Sequence, residues 1–209
     1  MYLDSFTKLL AGIPALLLAL AFHEYAHGKV AYLLGDPTPK YQGRLTLNPL
    51  AHLDLLGTLL LIVAGFGWAK PVQVNPFYFQ MDRRKGMMLV ALAGPLMNLV
   101  LAYLGAVAWR LSGSWGWRGD FLFAFFNLLV VYNVVLAVFN LLPIPPLDGS
   151  RILAGLVSRE SASFLYRLET IGPFLLLFLI ATGVTGRIMR PLVSLVLDFI
   201  LQASRLTII

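Results

Sequence analysis

The chain has 209 residues, of which 59% are hydrophobic and 12% charged, with a mean hydropathy of +0.80; those values exclude an ordinary soluble domain and place it among integral membrane proteins. A net charge of +6 would point to nucleic acid in a soluble protein, but here Lys and Arg lie in short connections between apolar segments, so the basicity reports orientation in a bilayer and no nucleic-acid partner is expected. There is no cysteine, which excludes disulfides and thiolate-held metal and leaves His, Asp and Glu as the only candidate ligands.

In chain order, the first apolar run extends from about Leu9 to Leu34 and contains "HEYAH" at 23–27. Lys8 ahead of it and Ala19-Leu20-Ala21 within it formally resemble a cleavable signal. Cleavage would strip the helix that presents HEYAH, so retention is expected. Further runs of the roughly 20 residues a bilayer core needs extend from about Met87 to Leu111, Phe121 to Leu142 and Phe164 to Val184. A weaker fifth, Ile188 to Leu206, contains Pro191, Asp198 and Arg205, which equally fit an interfacial amphipathic helix.

Between the first two runs, "KYQGRLTLNP" and "WAKPVQVNPF" alternate apolar and polar residues, a pattern of short strands. The intervening "LDLLGTLLLIVAGFGW" is apolar for only about 14 residues, more typical of a re-entrant piece than of a span. The expected architecture is an all-α polytopic membrane protein. It has about five to six transmembrane helices and a small re-entrant, strand-containing hairpin region after the first helix. Residues 1–209 form a single domain, with a catalytic core over about 9–153 and C-terminal helices over about 164–206.

HEYAH carries the chemistry. Residues four apart on a helix share a face, so His23 and His27 can chelate one metal. Glu24 sits on the same turn, as the general base of an HExxH metallohydrolase does. Zinc would supply the electrophile and the carboxylate the proton transfer. The competing reading, two histidines and a glutamate merely hydrogen-bonded inside a bundle, conflicts with the rarity and functional bias of ionisable residues in membrane spans.

A catalytic zinc usually has three protein ligands, and the candidates for the third are His52, Asp54, Asp120, Asp148 and Asp198. Asp148 is preferred because it follows an apolar helix beside the proline-broken "NLLPIPPLDG", where Gly149 allows close backbone approach. HEYAH in the first helix, "AGPLMN" opening a later one and "NLLPIPPLDG" ending the next together resemble the site-2 protease family of intramembrane zinc metalloproteases. The resemblance runs from Leu9 to about Leu153 and includes "GRLTLNPLAHLD" and "GWAKPVQVNP". It implies His23, His27 and Asp148 as ligands of one zinc ion per chain and Glu24 as the catalytic base. It further implies transmembrane segments of membrane-anchored regulators or signal-peptide remnants as substrates. The chain departs from the family in having Asp54-Leu55 where Asp-Pro is expected, and it shows no recognisable PDZ or CBS region.

Topology must let the ligands meet. HEYAH lies in the second half of the first span and Asp148 follows the end of the Phe121 span, so the two helices must run parallel. A re-entrant 55–68 segment permits this. With that topology and a spanning fifth helix, eleven of the sixteen Lys and Arg fall on the metal-proximal face and five on the other; a crossing segment gives nine and seven. The positive-inside rule favours the first. A multi-pass protein of a bacterial or archaeal plasma membrane, its active site toward the cytoplasm, is therefore expected.

Asn98 and Asn140 are amides in apolar surroundings, candidates for hydrogen bonding substrate or the developing oxyanion, with helix-helix packing as the alternative. Residues Val72, Gln73 and Val74 are a candidate strand edge for an unwound substrate. His52 reads as structural, Gly94 and Pro95 as packing and kink, and Trp68, Trp109, Trp115 and Trp117 as interfacial anchors. The rival functional class is a metal transporter or a catalytically silent metal-binding homologue, which leaves Glu24 without a role.

Overall fold

The computed structural model describes residues 5–54, 57, 70–114 and 119–207. Its described residues are helical, joined by turns and short 3-10 segments: α1 (Ser5–Leu33), α2 (Thr38–Tyr41), α3 (Arg83–Ser114), α4 (Asp120–Asn140), α5 (Asp148–Leu156), α6 (Arg159–Leu168), α7 (Gly172–Ala181) and α8 (Val184–Leu206). Among the described residues, three helices are long and apolar enough to cross a membrane, over Phe6–Leu33, Arg83–Ser112 and Asp120–Asn140.

These three pack against one another as the central bundle. On α1 the residues Ala11, Ala15, Ala19, His23, His27 and Ala31 recur every fourth position and are all buried; on α3 so do Val90, Gly94, Asn98, Ala102 and Ala106. Rows of this spacing are the ridges along which helices interdigitate. Small side chains in them let backbones approach where lipid offers no hydrophobic drive. Ala19 meets Asn98 and His27 meets Val90, so α3 runs antiparallel to α1. Asn133 meets Asn98 while Leu129 and Val130 stand against Gly105, so α4 is antiparallel to α3 and parallel to α1, as a shared metal site requires.

The chain leaves and rejoins the bundle at one end. Leu34 O accepts from Gln80 N at 2.9 Å, just before α3 begins. The residues between them therefore start and finish on the same face. Most of the apolar stretch read as re-entrant lies outside the described residues.

The strand expectation is not met among the described residues. "KYQGRLTLNP" instead contributes to α2, a turn at Gly43 with φ +66, and a 3-10 turn over Pro49–His52. In "KPVQVN" the N–H of Val72 and that of Asn75 are bound by the carboxylates of Glu24 and Asp36 on and just after α1, where a ladder would need them for a neighbouring strand.

The expected Phe164 to Val184 span is broken. Its residues divide between α6 and α7, bent by 68°, a broken span or a re-entrant loop. Pro173 sits in the first turn of α7, where its missing N–H is harmless but its ring cannot continue a preceding helix. Counting that pair, the described helices give up to four spans. The last helix, α8, is too polar to count, and Arg187, Arg190 and Asp198 lie exposed on it. Met189, Val193, Val196, Leu197, Ile200 and Leu201 form its inner stripe, packed on Ala102, Ala106, Val130, Val134 and Val138 of α3 and α4.

Candidate active site

The second half of α1, the first half of α3 and the start of α5 converge on one point. His23 Nε2 lies 3.0 Å from His27 Nε2, and each lies 3.3 Å from Asp148 Oδ2. Both histidines are buried, at 6% and 8% exposure, and Asp148 Oδ2 is buried without a hydrogen-bond donor. These are the only three His, Asp or Glu residues among those described whose ligand atoms cluster this way.

The far side of each ring fixes what faces inward. His27 Nδ1 lies 2.7 Å from the carbonyl of Val90, which can only accept, so Nδ1 carries the proton. His23 Nδ1 lies 2.6 Å from Asn98 Oδ1, another acceptor. A neutral imidazole protonated at Nδ1 presents a lone pair at Nε2. Two imidazole lone pairs and a carboxylate oxygen thus face one another within 3.3 Å. Such an arrangement repels itself unless a proton or a cation lies between. Two His and one carboxylate are a donor set of catalytic zinc sites, and a second hydrogen bond on each ring is how ligating histidines are usually oriented. The residues fit a metal ion.

Space for it is kept by glycines. A Cβ at Gly94 would lie 2.4 Å from His27 Nε2 and 2.6 Å from His23 Cε1; one at Gly149 would lie 2.3 Å from the carbonyl oxygens of Leu141 and Leu142. The first lets α3 pass across the edges of both rings, and the second seats α5 against the end of α4, which points Asp148 back toward α1. As the first residue of α5, Asp148 also has its charge favoured by the helix N-terminus. Ser150 Oγ donates to Leu147 O, and Arg84 Nη2 to Val157 O at 2.6 Å, so both ends of α5 are tied down.

Glu24 is half-buried and its Oε2 accepts the Val72 N–H at 3.0 Å. The contact joins two sequence candidates, Glu24 of HEYAH and the 72–74 segment. Asn140 stands at the last position of α4, its Nδ2 donating to Leu136 O at 3.0 Å. Asn98 is fully buried, with Nδ2 committed to Ala19 O and Asn133 Oδ1, so both of its donors are used inside the bundle, whereas half-buried Asn140 spends one N–H on Leu136 O. His52 lies outside the cluster, buried with Nε2 at 2.8 Å from Thr46 O.

Asn133, the Val90 carbonyl and Asp36 escaped the sequence reading. A backbone acceptor has no side-chain signature, but the every-fourth-residue alignment of Asn98 with the small residues of α3 was available as a signal. Asp36, fully buried, accepts from Thr38 N and Asn75 N and pins the chain on both sides of the excursion.

The model of peptidase family M50 matches residues 117–180, a stretch that includes Asn140 and Asp148. Across almost the whole chain, 42% of 195 residues are identical to YwhC of Bacillus subtilis, covering 91% of this chain and 89% of that protein. The chain belongs to peptidase family M50. Within M50 it is also 33% identical over 207 residues to Rip2 of Mycolicibacterium smegmatis, covering 95% of this chain and 76% of that protein. A third relative, MJ0611 of Methanocaldococcus jannaschii, is 30% identical over 138 residues, 63% of each chain. All three carry the description "putative zinc metalloprotease". No solved structure matches this M50 chain.

Proposed function

We propose that this M50 peptidase is an intramembrane zinc endopeptidase that cuts transmembrane segments of membrane-anchored proteins. His23, His27 and Asp148 hold one zinc ion and Glu24 is the general base. The observation that carries the reading is the three lone pairs converging within 3.3 Å, with a carboxylate on the next residue of the same helix. The names of the relatives support zinc and proteolysis.

A bound zinc ion supplies a Lewis acid that polarises the scissile carbonyl and makes water more acidic. Glu24 takes the proton of the attacking water and delivers it to the leaving nitrogen. The Val72 N–H on Oε2 limits how the carboxylate can rotate. A substrate helix must unwind first, since a helical carbonyl in hydrocarbon is already hydrogen-bonded and covered. The 72–74 segment beside Glu24 is where unwound backbone would be received, and Asn140, near the bend that leads to Asp148, is the candidate donor to it. The excess of Lys and Arg on the metal-proximal face supports cleavage toward the cytoplasm.

The test is zinc content together with proteolysis. Wild type should carry about one zinc per chain and Asp148→Ala should lose it. Glu24→Gln should keep zinc while turnover falls about 10²-fold or more, and Asn140→Ala should keep zinc with reduced turnover. Zinc retained in Asp148→Ala would move the third ligand elsewhere. Full proteolysis by Glu24→Gln would remove the assigned base, and transport without proteolysis in wild type would favour the transporter class.

A further inference from the structure

We infer that Asn98, locked by Asn133, is a positioning residue that sets the tautomer and aim of His23, and through them the metal affinity of the site. The inference rests on the zinc reading above.

Its basis is the one arrangement these two amides allow. Asn98 has two N–H donors at one end of its amide and an acceptor at the other. Nδ2 meets two acceptors, Ala19 O at 3.1 Å and Asn133 Oδ1 at 2.7 Å. Turning the amide over would set an oxygen against both. Oδ1 therefore faces His23 Nδ1 at 2.6 Å. Asn133 is fixed in turn, because its Nδ2 donates to Leu129 O at 2.8 Å, which leaves its oxygen for Asn98.

The result is a directed chain: His23 Nδ1–H donates to Asn98, Asn98 to Asn133, and Asn133 to a backbone carbonyl of α4. Every bond points the same way. Asn98 and Asn133 are both 0% exposed, out of reach of bulk solvent, and in such surroundings successive bonds polarise one another. The chain links three helices and starts on the residue whose Nε2 faces His27 and Asp148.

The two side chains closest to Asn in size and shape fail at position 98. Asp would set a carboxylate against the Ala19 carbonyl and the Asn133 oxygen. Leu would leave His23 Nδ1–H without an acceptor, freeing the ring to turn or to move its proton to Nε2, where it would block the metal. Plain helix packing by Asn98 requires only the bonds to Ala19 and Asn133; it does not require the bond to His23.

The experiment measures zinc dissociation constants by chelator competition on purified, folded wild type, Asn98→Leu, Asn133→Leu and Asp148→Ala. The imidazole ¹⁵N shifts of the zinc-free proteins report the histidine tautomers. Asn98→Leu should bind zinc about 10- to 100-fold more weakly, the usual cost of losing such a partner, and its His23 should show mixed tautomers. Asn133→Leu, which touches neither His23 nor the metal position, should show both changes in smaller measure, and it carries the test if Asn98→Leu does not fold. Zinc affinity within about twofold of wild type and an unchanged tautomer in the folded variants would overturn the inference. Absence of zinc binding in wild type, or unaltered binding in Asp148→Ala, would instead overturn the zinc reading.

Discussion

Gly94 shows how little room the site leaves at the residue scale. The one carbon that alanine adds would sit 2.4 Å from an imidazole nitrogen, so either α3 retreats from α1 or both rings turn. Gly94→Ala is expected to weaken zinc binding about tenfold or more, comparable to losing an outer-shell partner. Gly186→Ala is the control: its Cβ meets nothing within 4 Å, and it should leave binding unchanged while adding at most about 1 kcal/mol of helix stability. Equal affinity in both variants would show that the rings adjust without cost. Much of the candidate site at this scale was legible in the sequence. His23, Glu24 and His27 announce themselves by spacing, and Asp148 by a charge beside prolines after an apolar helix. What holds them was not legible, because Val90, Asn98 and Asn133 lie far away in the chain and one of them acts through its backbone.

At the scale of elements, the long apolar helices could be read directly, since composition and length decide them. The broken span could not, and the last helix was legible only as either a span or an amphipathic helix. A window over Phe164 to Val184 averages across a proline that restarts the helix, and α8 owes its place to side chains on α3 and α4. The strand pattern in "KPVQVN" misled for a related reason: alternation says which side chains differ, not where the backbone donors go, and here two of them go to carboxylates at α1. Helix starts are equally local. Asp82 is exposed at the head of α3, its Oδ1 accepting Lys85 N–H at 3.0 Å, and that N–H favours the charged form and lowers the carboxyl pKa from the ordinary 3.8. A lowered pKa adds stability above the unfolded value and loses it as pH falls through the folded one. Asp82→Ala should therefore melt below wild type at about pH 6, with the gap narrowing as the pH falls below the ordinary carboxylate value. A gap that widened on acidification would contradict this sign.

For the whole molecule, the consequence is sidedness. With α1 and α4 parallel and α3 antiparallel to both, Lys8 and Lys85 lie at opposite ends of the bundle. Both are exposed, whereas Arg84 is engaged with α5, so cysteines at 8 and 85 are the informative pair. In intact cells an impermeant thiol reagent should label position 8 from outside and reach position 85 only after lysis. Labelling of both from one side would break the topology, and labelling of 85 from outside would invert the orientation drawn from charge.

The candidate donors also come from two separate parts of the chain, α1 and the α5 segment seated on the end of α4. An ion held by both would cross-link them and bind the folded state far better than the unfolded one. Free zinc then becomes a thermodynamic variable of folding. Above the dissociation constant, each tenfold rise should add about 1.4 kcal/mol to the unfolding free energy. The melting temperature of wild type would climb with zinc activity, while that of Asp148→Ala stayed flat. A cell short of zinc would thus hold less of the folded protein as well as less of its activity.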